Sequence, residues 1–135
     1  MTDTQRGEHR VRTRRALFYA ALVAGLGVGV IVDAFIGLNG AGSTLNDLSQ
    51  VILVLVCSTG WAIADAELKG TRLGRPAGVL IAVFAPLGIA VYLFRTRPFM
   101  QALLTWIAFV GGAVLSILAF GQIGAWLAAG SSAKI

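Results

Sequence analysis

Between Ala16 and Leu38 the chain runs for 23 residues with a single charge, Asp33, and three further apolar runs follow it. A helix rises about 1.5 Å per residue, so a run of this length crosses the roughly 30 Å hydrocarbon layer of a bilayer. In that layer only helices and closed barrels satisfy their own backbone polar groups. Runs this long, without the alternation of a barrel strand, therefore predict an all-α, polytopic membrane protein. Composition points the same way: 57% of the 135 residues are hydrophobic, 13% are charged and the mean hydropathy is +0.82, whereas a soluble domain is roughly 25% charged.

The predicted architecture is a compact bundle of four transmembrane helices in one domain, with spans at about 16–38, 45–64, 76–94 and 101–127, the third kinked at Pro86. Residues 1–13 carry no apolar period and are expected to form a disordered basic tail; residues 131–135 form a short C-terminal tail. In "NGAGSTLND", Thr44 stands three residues before Asp47, a capping-box spacing for the second helix. Trp61 falls near the end of that helix, where an amphipathic ring suits the interface. The segment "TRRALF" is similar to a twin-arginine export motif, but the apolar run after it is longer than a signal-peptide core and has no convincing cleavage site. An uncleaved first helix is the better reading.

The formal net charge is +5, and its placement excludes a nucleic-acid groove binder. Arg6, Arg10, Arg12, Arg14 and Arg15 precede the first run, and Lys69, Arg72 and Arg75 lie between the second and third. With four alternating helices, these residues and Lys134 share one face, leaving Arg95 and Arg97 on the other. Nine basic residues against two orient both termini toward the cytoplasm of a bacterial inner membrane. Arg95 and Arg97 contradict that bias. Either the third run breaks at "APLG", re-enters and returns them to the cytoplasm, or it crosses fully and holds them outside. A re-entrant backbone needs shielding by protein or water, which favours the full crossing in so short a chain.

Full crossing makes Arg95 and Arg97 the cations available to Asp33, which sits at the negative pole of the first helix. A charge cluster of Asp33 with Arg95 or Arg97 is the expected polar site. Gly25 and Gly29 have the small-xxx-small spacing of close helix packing, and Gly111, Gly112, Gly121 and Gly124 provide similar positions in the fourth run. Pro86 and Gly88 make the kink.

Catalytic chemistry is sparse. His9 is the one histidine, no His, Cys, Asp and Glu cluster has metal-ligand spacing, and no base lies near Cys57, Ser58 or Thr59 in sequence. Those three are expected to pack between helices with their hydroxyls bonded to the preceding turn. Asp65 and Glu67, beside Lys69, Arg72 and Arg75, read as an interfacial salt-bridged face. No cofactor or metal is expected, the partners are the lipid bilayer and a second copy or another membrane protein, and the chain is not expected to be an enzyme. The leading expectation is a small non-enzymatic integral membrane protein, an accessory or homo-oligomeric interaction module; the alternative is a small transporter or channel gated near Asp33, Arg95 and Arg97.

Trp61, the charged segment 65–75, "FAPLG" and "YLFRTRP" together resemble a group of small uncharacterised bacterial integral membrane proteins in which Pro-x-Gly precedes Tyr-Leu-x-Arg-Thr-Arg. The resemblance covers residues 61–98 and implies a membrane location but no activity. Small multidrug exporters and dual-topology fluoride channels share the size, but the first run here has no central glutamate, and its charge bias opposes dual insertion.

Overall fold

A computed structural model describes residues 3–36 and 41–132. Five helices make up the described chain: α1 (Asp3–Ile36), α2 (Ala41–Leu68), α3 (Arg75–Val83), α4 (Ala85–Thr96) and α5 (Phe99–Ser132). Among the described residues there is no strand. Three helices, α1, α2 and α5, are long and apolar enough to cross a membrane, not four.

The helices outrun the apolar runs that predict them. α1 is already formed at Asp3, so the described part of the expected disordered tail is helical. Gln5, Arg6, Glu8 and Arg10 are good helix formers, and extending an existing helix carries no nucleation penalty. The Thr13 hydroxyl donates to the His9 carbonyl at 2.9 Å within this extension. α2 likewise begins by Ala41, so Thr44 and Asp47 lie inside it and do not cap it. Its C-terminus closes with the Gly70 N–H bonded to the Glu67 carbonyl and the Thr71 N–H to the Ala66 carbonyl, with Gly70 at φ +63°. That is a Schellman closure, and glycine takes the left-handed position without a Cβ penalty. α5 continues through Ser132, and residues 133–135 of the expected C-terminal tail lie outside the described residues.

The third apolar run departs most from expectation. It is a helical hairpin and not a kinked crossing. Pro86 has no N–H to offer the Ala82 carbonyl, and its ring disfavours a helical residue before it. The helix stops at Val83, turns at Phe84 (φ −149°, ψ 87°) and restarts with Pro86 in the first turn of α4. Gly88 then packs on the backbone of Ile81, seven residues earlier, where any Cβ would overlap the Ile81 N and Cα atoms. Seven residues of straight helix span about 10 Å, so this contact requires the chain to fold back. At about 14 and 18 Å long, α3 and α4 each reach roughly halfway through a 30 Å layer.

Protein covers the inner side of this bend at Ala85 and Gly88, while Val83, Phe84 and Leu87 at its tip are exposed. Trp106 of α5 donates its indole N–H to the Pro86 carbonyl at 2.9 Å. Ile81, Ile89, Tyr92 and Leu93 of the hairpin are fully or almost fully buried, as are Ala62 and Ala66 of α2 and Ala102 of α5. Alanines four apart on α2 let a neighbouring backbone approach closely. α1 and the hairpin each pack on both α2 and α5, which have no close backbone approach of their own. Trp61 and Phe109 bridge that gap with ring centroids 4.9 Å apart. Trp61 is thus buried in the bundle instead of resting at the interface.

Glycines on α1 and α5 sit where helices meet. Gly25 faces Leu53 and Gly29 faces Gln50, both on α2; Gly112 faces the Tyr19 hydroxyl, and Gly124 faces Ala34 and the Ile31 backbone. Gly121 is in ordinary contact with Val30. Gly111 faces open space, so this residue does not share the packing role expected of it. Gly27 and Gly60, which the spacing argument passed over, are covered by Phe120 and Phe18.

Candidate functional site

The polar centre of the molecule is Asp65, in the last turn of α2, with no solvent exposure. The neighbouring turn positions are Ala62 and Ala66, so the hairpin and α1 close over the carboxylate. A buried carboxylate requires cations and hydrogen-bond donors. The Arg97 Nη2 donates to both oxygens, at 2.6 and 2.8 Å. Arg15 of α1 donates to Oδ1 at 2.8 Å, and the Tyr92 hydroxyl of α4 donates to Oδ2 at 3.0 Å. Arg97 also reaches α5, where its Nη1 donates to the Thr105 hydroxyl at 2.7 Å, and that hydroxyl donates to the Gln101 carbonyl at 2.7 Å. One carboxylate therefore ties α1, α2, the hairpin and the start of α5 together.

The surrounding charge is positive. Asp65 balances one of its two guanidinium partners, leaving the trio at +1. Arg14 and Glu67 form a separate, half-exposed ion pair beside it. Lys69 donates to the Thr96 carbonyl at 3.3 Å. Desolvation, then the nearby charge of Arg97, draws the Lys69 pKa below its usual value. The Nε of Arg97 is buried and has no hydrogen-bond partner among the described residues.

The expected cluster of Asp33 with Arg95 or Arg97 does not form. Asp33 accepts from Asn46 at 2.6 Å and from Gln50 at 3.4 Å. Two carboxamides from α2 thus supply the donors expected from arginine. Arg97 is at the other end of the bundle with Asp65, because the hairpin returns it to the end from which α3 begins. Arg95 is exposed and has no ion pair among the described residues. Arg15, in the N-terminal half of α1, meets Asp65 toward one end of the bundle, whereas Gly124 of α5 meets Ala34 toward the other. The first turns of α1 and the last turns of α5 therefore lie at opposite ends.

The sequence reading placed Asp65 with Glu67, Lys69, Arg72 and Arg75 in an interfacial salt-bridged face; Asp65 is salt-bridged, but buried and to Arg15 and Arg97. Glu67 does pair at the surface, but two residues of helix rotate a side chain by about 200°, and this turns Asp65 inward. The usable signal was the setting Ala62, Ala64, Ala66, an acid among alanines, opposite an arginine that the charge bias had misplaced. Ser58 gives a smaller correction: its buried hydroxyl has no partner among the described residues and is not bonded to the preceding turn.

A cavity of about 490 Å³ opens beside the cluster, lined by Arg15, Tyr19, Trp61, Arg97 and Thr105, with Ala16, Leu104 and Ala108 completing its apolar wall. A smaller recess of about 160 Å³ shares Tyr19, Trp61, Thr105 and Ala108 and ends at Phe109. The Tyr19 hydroxyl lies 3.2 Å from the carbonyl oxygens of Ala108 and Phe109 and can donate to either. The space is therefore cationic at one end and aromatic at the other.

Fold and site together define a small protein, all-α among the described residues, with three potential membrane spans, a short helical hairpin and a buried ion-paired anchor. No protein-family model matches the chain, and neither the curated proteins nor the solved structures contain a match to it.

Proposed function

We propose that this is a small non-enzymatic integral membrane protein of the bacterial inner membrane, an accessory or homo-oligomeric module whose re-entrant hairpin opens from the cytoplasmic face. The observation that carries the reading is the buried Arg97 to Asp65 pair, in which Nη2 reaches both carboxylate oxygens, joined by Arg15 and Tyr92. Such an anchor holds the hairpin fixed, as an assembly module requires.

Orientation follows from charge. With the hairpin returning Arg95 and Arg97 to the side of Arg15, the ten Lys and Arg residues among the described residues share one face. This is a stronger positive-inside bias than four crossings would give. The N-terminus is then cytoplasmic and the C-terminus periplasmic.

The transporter alternative draws support from the broken helix, since discontinuous helices build many transport sites. Against it, the recess at the hairpin tip is lined by Gln50 together with Val51, Val54, Leu55, Val83 and Phe84. That lining offers a hydrophilic solute no charged group. The outer face of α5, with Leu104, Ile107, Leu115 and Leu118 exposed, is instead available to lipid or to a second helix. The test is cysteine cross-linking of Leu115→Cys in a Cys57→Ser background in membranes, with copurification of untagged partners. A cross-linked dimer or a stoichiometric partner supports the module; a monomer that carries solute across liposomes in an Asp65-dependent way contradicts it.

A further inference from the structure

We infer that the cavity beside Asp65 is a binding site for an anionic phosphate group, with Arg15 and Arg97 as its cationic wall and Tyr19, Trp61 and Phe109 as its apolar floor. The inference rests on the module reading only in treating the Asp65 cluster as a permanent fixture and not as a gate.

Three observations converge on this ligand chemistry. The first is unbalanced charge: one carboxylate faces two guanidiniums, and neighbouring Lys69 has a carbonyl as its partner. A second anion would neutralise the excess. The second is unused donors. Of the five N–H donors of an arginine, the part-exposed Arg15 commits one on Nη1 to Asp65, whereas Arg97 directs its Nη groups to Thr105 and Asp65 and contributes charge to the wall. Planar guanidinium donors suit phosphate oxygens in both geometry and charge. The third is the shape of the space. A cavity of about 490 Å³ continues along shared walls into the aromatic recess at Phe109. Its walls come from α1 (Arg15, Ala16, Tyr19) and α5 (Leu104, Thr105, Ala108), with Trp61 of α2 and Arg97 behind them.

The phosphate could be carried by an anionic lipid headgroup or be free in solution, and the two differ in what they leave in the apolar recess. A lipid places glycerol and the first acyl carbons against Trp61 and Phe109; free phosphate leaves that surface bare. Because Asp65 is already saturated by four hydrogen bonds, the ligand binds the outward donors of Arg15 without displacing the anchor.

The test is thermal unfolding of the full chain in neutral detergent, titrated with dioctanoyl phosphatidylglycerol, dioctanoyl phosphatidylcholine and inorganic phosphate. The expected result is a saturable rise in Tm with phosphatidylglycerol and little or none with phosphatidylcholine. Phosphate acting as strongly as phosphatidylglycerol would identify free phosphate as the source; phosphate acting at least tenfold more weakly would identify the lipid. Arg15→Gln should weaken binding about tenfold or more. Because Arg15 also holds Asp65, Ala108→Phe provides the second arm: it fills the cavity from an exposed helix face and leaves the ion pairs intact, so the unliganded Tm should persist while the ligand-induced rise disappears. No saturable rise with either anion, an equal rise with phosphatidylcholine, or a rise that survives Ala108→Phe would each overturn the site. None of these results would affect the cross-linking outcome that tests the module, so the two readings fail separately.

Discussion

At the residue scale the decisive group is Asp65. Removing one partner of a buried charge pair leaves the other uncompensated, which costs about 3–5 kcal/mol. Arg97→Gln should therefore lower the Tm sharply, while Arg95→Gln, at an exposed position two residues away, should fall within about 0.5 kcal/mol of wild type. A double-mutant cycle of Asp65→Asn with Arg97→Gln, measured in lipid, should recover much of the loss of the single changes; additive effects would mean the pair does not couple. The same cycle on Asp33→Asn and Arg97→Gln should be additive, because Asp33 is held by Asn46 and Gln50 at the far end of the bundle. Little of this was legible in the sequence. The argument that a carboxylate near the membrane must seek a cation was applied to Asp33, the more isolated acid along the chain. It describes Asp65, whose neighbours in sequence are charged but whose neighbours in space are Ala62, Ala66 and three hydrogen-bonding side chains from other segments.

At the scale of elements, α1, α2 and α5 were readable because length and hydropathy alone specify a candidate span, and Gly25 and Gly29 of α1 lie against Leu53 and Gln50 of α2. Their ends were less readable, since helix propensity carried α1 and α2 past their apolar runs. The hairpin was not readable. A run of 19 apolar residues with a central proline has the same composition whether it kinks and continues or breaks and returns. The outcome depends on Gly88 accepting the Ile81 backbone and on Trp106 bonding to the bend, both contacts that no local pattern announces. Gly88→Leu should thus separate α3 from α4 and lower the Tm more than Gly111→Leu, whose side chain would enter open space. Trp106→Phe, which keeps the ring and removes the N–H, should cost about 1 kcal/mol in the same unfolding assay.

For the whole molecule, hydropathy predicts helices able to span a membrane, and three helices have the length and apolar character for it. Under the proposed threading, with the hairpin returning to the side of Arg15, the nine-against-two bias of four crossings becomes stronger. The arginines at 95 and 97 then require no outer-face partner. The central claim is that residues 75–96 enter and leave on one face. It is tested most directly by labelling single cysteines with a membrane-impermeant maleimide in right-side-out and inverted vesicles, using Arg12→Cys, Arg95→Cys and Ala129→Cys in a Cys57→Ser background. The account predicts that Arg12→Cys and Arg95→Cys react from the same face and Ala129→Cys from the opposite one; reaction of Arg12→Cys with Ala129→Cys from one face and Arg95→Cys from the other would contradict it.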